Sequence, residues 1–226
     1  MTFDDFKELV VREFPFLTGE QLERFSRMEG LYKDWNSRIN VISRKDIDGF
    51  YEHHVLHSLA IASYWLREGL DPAGLTVLDV GTGGGFPGIP LAVMFPGMDF
   101  TLCDSVGKKT LVAGEVAKAL GLENVRIVNA RAESLPDTYD FVVSRAVTTL
   151  DNFYPWVKGK FRGSVFYLKG GDINEEIAEL MRHNRLKKGS VRTWRIDNWL
   201  KEEYFQEKFV IQIEKDYLCS PIAENI

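Results

Sequence analysis

The residues best suited to chemistry form one short run, Asp79-Val80-Gly81-Thr82-Gly83-Gly84-Gly85-Phe86-Pro87-Gly88. Its glycines let the backbone turn sharply and let a ligand approach with no Cβ in the way. Asp79 puts a carboxylate two residues before the first of them. A negative charge there disfavours a nearby pyrophosphate and suits a ligand that carries an ammonium or a sulfonium. Asp104 ends a later apolar run, where a carboxylate can hold a ribose diol. Arg145 ends another, offering a planar fork of donors or a salt bridge to a loop acid. His53, His54 and His57 have the spacing for zinc on one helix face, but no Cys or Glu completes a set. A packed or substrate-facing pair is the better reading, and no metal is expected.

Elements must hold these groups in place. Residues 3–35 read as helical, with a break at Pro15, an N-cap at Thr18, and Leu22, Phe25, Met28, Leu31, Tyr32 and Trp35 on one apolar face. A further helix is expected from Asp48 to Leu66, ended by Asp71-Pro72-Ala73-Gly74. From Thr76 the pattern becomes strand, turn, helix, repeated. Strands are predicted at Thr76–Val80, Asp99–Cys103, Val125–Asn129, Tyr139–Ser144 and Gly163–Leu168, with helices at 87–95, 107–120, 149–159 and 172–185. Two alternating segments, 190–196 and 207–214, can pair as an antiparallel edge. The expected fold is α/β: a helical N-terminal cap over residues 1–75, packed as one unit with a doubly wound, mostly parallel sheet over 76–226.

Gly83-x-Gly85-x-x-Gly88 matches a dinucleotide fingerprint literally, whereas Asp79 favours S-adenosylmethionine, whose ribose Asp104 serves equally well. Asp-x-Gly-x-Gly after an apolar strand resembles motif I of the class I S-adenosylmethionine-dependent methyltransferases. After the third strand, Ala130-Arg131-Ala132-Glu133 stands where that fold contacts adenine; the bland reading of Glu133 is a solvated loop acid. The fourth strand ends in Val143-Ser144-Arg145-Ala146, without the Asn/Asp-Pro-Pro-aromatic motif of enzymes that methylate exocyclic amines. Neither Cys103 nor Cys219 is placed to attack a pyrimidine. A ring nitrogen such as guanine N7 needs neither device, and Arg145 suits guanine O6 and N7 or a phosphate.

Across nearly its whole length the chain resembles the bacterial GidB/RsmG family of 16S rRNA guanine-N7 methyltransferases. The marks are Trp35-Asn36 with Asn40, His54 with Ser58, the glycine loop through Ile89-Pro90, Asp104-Ser105-x-Gly107-Lys108-Lys109, Ser144-Arg145-Ala146 and Leu168-Lys169-Gly170. The resemblance implies methyl transfer from S-adenosylmethionine, releasing S-adenosyl-L-homocysteine, to one guanine of 16S rRNA or of the small-subunit particle. It implies cofactor contacts from Asp79, Gly81, Gly83, Gly85, Phe86, Asp104, Ser105, Ala132, Glu133 and Arg145, and catalytic roles for Arg145 and Lys169. Asn36, Asn40, His54, Lys108 and Lys109 are expected to face RNA. Where family members read Arg-His-x-x-Asp-Ser, this chain has His53-His54-Val55-Leu56-His57-Ser58, and Glu207 takes the place of a basic residue.

Charge points the same way only locally. The 226 residues carry a net −5, yet residues 158–195 hold 10 basic against 4 acidic side chains, so Lys187 and Lys188 are added to the expected RNA face. Two cysteines exclude a disulfide framework, and no apolar run reaches a membrane span. The acidic start is unlike a signal peptide, so a cytoplasmic location is expected; a monomer without membrane or metal is the accompanying expectation. The competing readings are a small-molecule or protein methyltransferase, an NAD-dependent oxidoreductase, and a non-catalytic RNA-binding module.

Overall fold

The computed structural model describes residues 1–43, 46–70 and 73–215; Cys219 and the Asp71-Pro72 break lie outside them. Two capping boxes start the N-terminal helices. Thr2 exchanges bonds with Asp5 at the start of α1 (Phe3–Glu13), and Thr18 with Gln21 at the start of α2 (Gly19–Asn36). The predicted 48–66 helix is instead composite: a 3-10 turn at Ile47–Gly49, a π-helical segment at Phe50–Leu56, then α3 (His57–Arg67). The wider π turn falls on His53 and His54, and such turns are rare and concentrate at functional sites.

The sheet comprises β1 (Thr76–Val80), β2 (Asp99–Asp104), β3 (Val125–Asn129), β4 (Tyr139–Arg145), β5 (Phe161–Gly170), β6 (Val191–Arg195) and β7 (Lys208–Glu214). Its order is β3-β2-β1-β4-β5-β7-β6, with β7–β6 antiparallel as expected and β7 antiparallel to β5 as well. The connecting helices are α4 (Gly88–Met94), α5 (Gly107–Ala119), α6 (Leu150–Val157) and α7 (Asn174–Asn184). Pro87 caps α4 from outside, and β5 begins at Phe161, two residues earlier than predicted.

One buried cluster joins Phe6, Val10, Phe25 and Tyr32 of the N-terminal layer to Leu102, Phe141 and Phe166 of the sheet; a second lies under α6 and α7. Gln21, itself buried, donates to the carbonyls of Val93 and Met94 at 2.9 Å, satisfying acceptors that the end of α4 leaves open. The N-terminal helices are thereby fixed to the helix that follows the glycine loop. Parallel strands of this kind present ligands at their C-terminal ends, where the loops after β1, β2, β3 and β4 converge.

Candidate functional site

The glycine loop is shaped from beneath. Asp79 is fully buried, and its Oδ2 accepts from the Thr82 hydroxyl at 2.6 Å and the Gly88 N–H at 2.8 Å. Its Oδ1 is buried with no partner, and burial pushes the carboxyl up to about 7. Gly81, at φ +69°, donates to the Cys103 carbonyl at 2.8 Å; a Cβ here would stand 2.3 Å from a Val147 methyl. Gly83, at φ +58°, donates to Asp104 Oδ2 at 2.9 Å, and Asp104 Oδ1 accepts from Val106 N–H at 2.8 Å. Each oxygen of Asp104 keeps a lone pair for a ligand hydroxyl.

Above these ends lies a cavity of about 260 Å³. Its wall comprises Val80, Gly81, Cys103, Asp104, Ser105, Ala130 to Glu133, Val147 and Trp156. The predicted cofactor residues Gly81, Asp104, Ser105, Ala132 and Glu133 meet here. Asp79, Gly83, Gly85, Phe86 and Arg145 do not line it. Asp79 braces the loop from below, so the direct contact expected between its carboxylate and a cationic ligand is replaced by bonds to Thr82 and Gly88. Phe86 is buried against Tyr32 at 4.7 Å and His54 at 5.2 Å, and a Cβ on Gly85 would strike Ile89. Sequence reasoning missed Val147 and Trp156, which come from beyond β4 and have no motif to mark them.

Arg145 sits at the end of β4, partly buried. Its guanidinium donates to the His53 carbonyl at 3.2 Å, meets His54 Nδ1 at 3.1 Å and lies over the Phe86 ring at 5.1 Å. Among the described residues no loop acid pairs with Arg145. Burial first, then the Arg145 charge, drives His54 down to about 3, so it is neutral, and Nδ1 accepts from Arg145. His57 is likewise held well below its ordinary value by burial, then by Arg145 and Lys208. Tyr204 stacks on His53 at 4.0 Å, and its hydroxyl reaches His57 Nδ1 at 3.3 Å. Lys169, expected to face the cleft, pairs with Glu176 at 2.8 Å and donates to the Thr148 carbonyl at 3.2 Å. It steadies the loop after β4.

The expected RNA face is revised. His54 is buried, and Asn36 spends its side chain on Val41 and Ile42, holding a loop whose Val41 packs on Gly84. Lys187 and Lys188 lie before Ser190, whose carbonyl accepts from Glu214, the partner of Ser164 near the start of β5. They therefore stand at the opposite end of the sheet from the glycine loop. Asn40 and Lys108 are exposed and Lys109 is half-buried, the lysines beginning α5 beside Ser105. Among the described residues, no group of three His, Cys, Asp or Glu side chains is arranged to hold a metal ion.

Residues 20–197 match the GidB family profile, described as rRNA small subunit methyltransferase G. The chain belongs to this family. A GidB relative from Christiangramia forsetii, named ribosomal RNA small subunit methyltransferase G, is 44% identical over 218 residues, covering 93% of this chain and 98% of the relative. One of the same name from Bacteroides fragilis is 48% identical over 214 residues, covering 91% and 98%. Among solved structures, magnesium protoporphyrin IX methyltransferase from Synechocystis PCC 6803, with bound S-adenosylmethionine, superposes with a TM-score of 0.60 at 14% identity. That match covers 88% of this chain and 98% of the other, and it shows the class I methyltransferase fold. GidB membership decides between the two cofactor classes that the loop alone left open. The chain is a methyltransferase that uses S-adenosylmethionine, and not a dinucleotide enzyme.

Proposed function

We propose that the chain methylates N7 of a guanine in 16S rRNA, either free or within the small-subunit particle. The observation that carries the reading is the end of β4, where the Arg145 guanidinium is held by the neutral ring of His54 and the His53 carbonyl, and burial leaves His54 and His57 too weakly basic to take a proton. Bound S-adenosylmethionine supplies an electrophilic methyl on a sulfonium. An exocyclic amine or a hydroxyl must shed a proton to accept it, whereas guanine N7 presents a free lone pair. Attack on a pyrimidine ring carbon would need a thiolate. The Cys103 thiol instead donates to the Ala130 carbonyl at 3.2 Å, and burial raises it to about 11.

In this reading Asp104 holds the ribose hydroxyls, and the Gly81 backbone gives the donor room. Ala132 and Glu133 face adenine. Arg145 grips guanine O6, a phosphate or the cofactor carboxylate. Placing its charge at N7 itself would oppose the positive charge that methylation leaves on the purine. Lys169 supports this arrangement through Glu176 and Thr148. RNA approaches along the C-terminal edge of the sheet, where Lys108 and Arg131 are exposed. The reading carries with it a cytoplasmic monomer; among the described residues no helix is long and apolar enough to cross a membrane.

The test is transfer of labelled methyl groups from S-adenosylmethionine to unmodified small-subunit rRNA or particles. Large-subunit rRNA and transfer RNA are run beside them. Label concentrated in the small-subunit substrate supports the proposal. Label confined to the other RNAs, or to none, refutes it.

A further inference from the structure

Trp156 is the single aromatic side chain among the residues that line the cofactor cavity. Its neighbours on α6 behave differently: Leu150, Phe153, Tyr154 and Val157 are buried in the core beneath the helix, while Trp156 is left partly exposed. The Phe153 ring meets the indole edge-on, with centroids 6.0 Å apart at 61°, and so fixes its direction. α6 packs against the short turn Ala132–Ser134, so the indole stands at the end of the cavity formed by Ala130 to Glu133. The Gly81 and Asp104 contacts lie along the β1 and β2 ends.

We infer that Trp156 is a binding residue for the adenine ring of the cofactor. It forms the flat wall against which the purine packs, opposite the polar contacts that hold the ribose. The inference rests on the cofactor assignment above. A purine presents a π-face that an indole can cover, whereas the amino-acid tail of the cofactor has no such face. Partial exposure of a large aromatic surface at the mouth of a cavity is what a ligand would relieve. Alanine substitution of an aromatic platform under a base costs about tenfold or more in affinity.

The experiment measures binding of S-adenosyl-L-homocysteine and of 5′-methylthioadenosine, which lacks the amino-acid tail, to the full chain by calorimetry. Wild type, Trp156→Phe, Trp156→Leu and Trp156→Ala are compared. The phenylalanine variant should stay within about threefold of wild type, while the leucine and alanine variants lose about tenfold for both ligands alike. Tryptophan fluorescence should change on ligand addition in wild type and much less in Trp156→Phe. A merely structural role would lower the melting temperature without giving equal losses for the two ligands or the difference in fluorescence. Wild-type affinity in Trp156→Leu, with wild type itself binding, overturns the inference and leaves the cofactor assignment standing. Failure of wild type to bind either ligand overturns both.

Discussion

The Tyr32 hydroxyl donates to the Gly84 carbonyl at 2.8 Å, across 52 positions of sequence, and fastens a helix of the N-terminal layer to the glycine loop. The same ring lies 4.7 Å from Phe86, and burial raises its phenol far above the ordinary range, so it remains a neutral donor. Tyr32→Phe keeps the ring and leaves the Gly84 carbonyl unpaired. Stability should fall by about 1–2 kcal/mol, and S-adenosyl-L-homocysteine affinity should fall severalfold as the loop loosens. Denaturant melts and calorimetry measure the two losses. Unchanged affinity would show that the loop holds its shape without the N-terminal layer.

Gly81 meets two demands at once, a left-handed φ of +69° and a Val147 methyl 2.3 Å from any Cβ. Gly81→Ala should cost about 1–2 kcal/mol from backbone conformation alone and displace Val147 into the cavity. Cofactor affinity should fall by about tenfold or more, and a second change, Val147→Ala, should restore part of it. Restoration shows as a lower Kd in the double variant than in the single one. Additive losses would mean that the two residues do not compete for this space.

Asp79 gives stability a pH dependence of known sign. Its folded pKa is near 7, against an ordinary value of 3.8, because the carboxyl is buried. Between those values the folded chain keeps a proton that the unfolded chain has released. That stabilisation is full below about pH 4 and is lost as pH rises through 7. Asp79→Asn removes the titration and retains an oxygen for Thr82 and Gly88. From pH 5 to pH 8 the wild-type Tm should fall several degrees further than that of the variant. Parallel curves would place the titration elsewhere.

His54 acts on Arg145 as an uncharged acceptor, so the rate should not follow histidine titration. Single-turnover methylation with saturating RNA should be nearly flat between about pH 6.5 and 8.5. His54→Phe keeps the ring's bulk and removes the acceptor. The rate should drop by about tenfold or more while S-adenosyl-L-homocysteine affinity stays within about twofold, because the guanidinium loses its aim. Equal loss of rate and cofactor affinity would assign the pair to cofactor binding.

The parallel sheet was legible because β1, β2, β4 and β5 are apolar runs followed by glycine or charge, and local signals of that kind survive folding. Asp104 and Gly81 were legible for the same reason, since strand ends face the ligand edge. The π turn was not: residues 50–56 share the apolar pattern of an ordinary helix, and the extra residue per turn leaves no mark in composition. His54 looked like an RNA contact because burial by Phe86 and Arg145 comes from distant segments. Lys187 and Lys188 were assigned to the RNA face by the basic excess of residues 158–195, but α7 carries them to the far end of the sheet. Trp156 carries no motif in the sequence, and only the packing of α6 against the Ala132 turn brings it to the cavity.

The most direct test of the account is the chemical identity of the product. Small-subunit particles methylated with labelled S-adenosylmethionine by the wild-type chain are digested to nucleosides and resolved by chromatography and mass. The account predicts label in 7-methylguanosine. Label in a guanosine methylated on its exocyclic amine, in 5-methylcytidine or in a 2′-O-methyl nucleoside would contradict it.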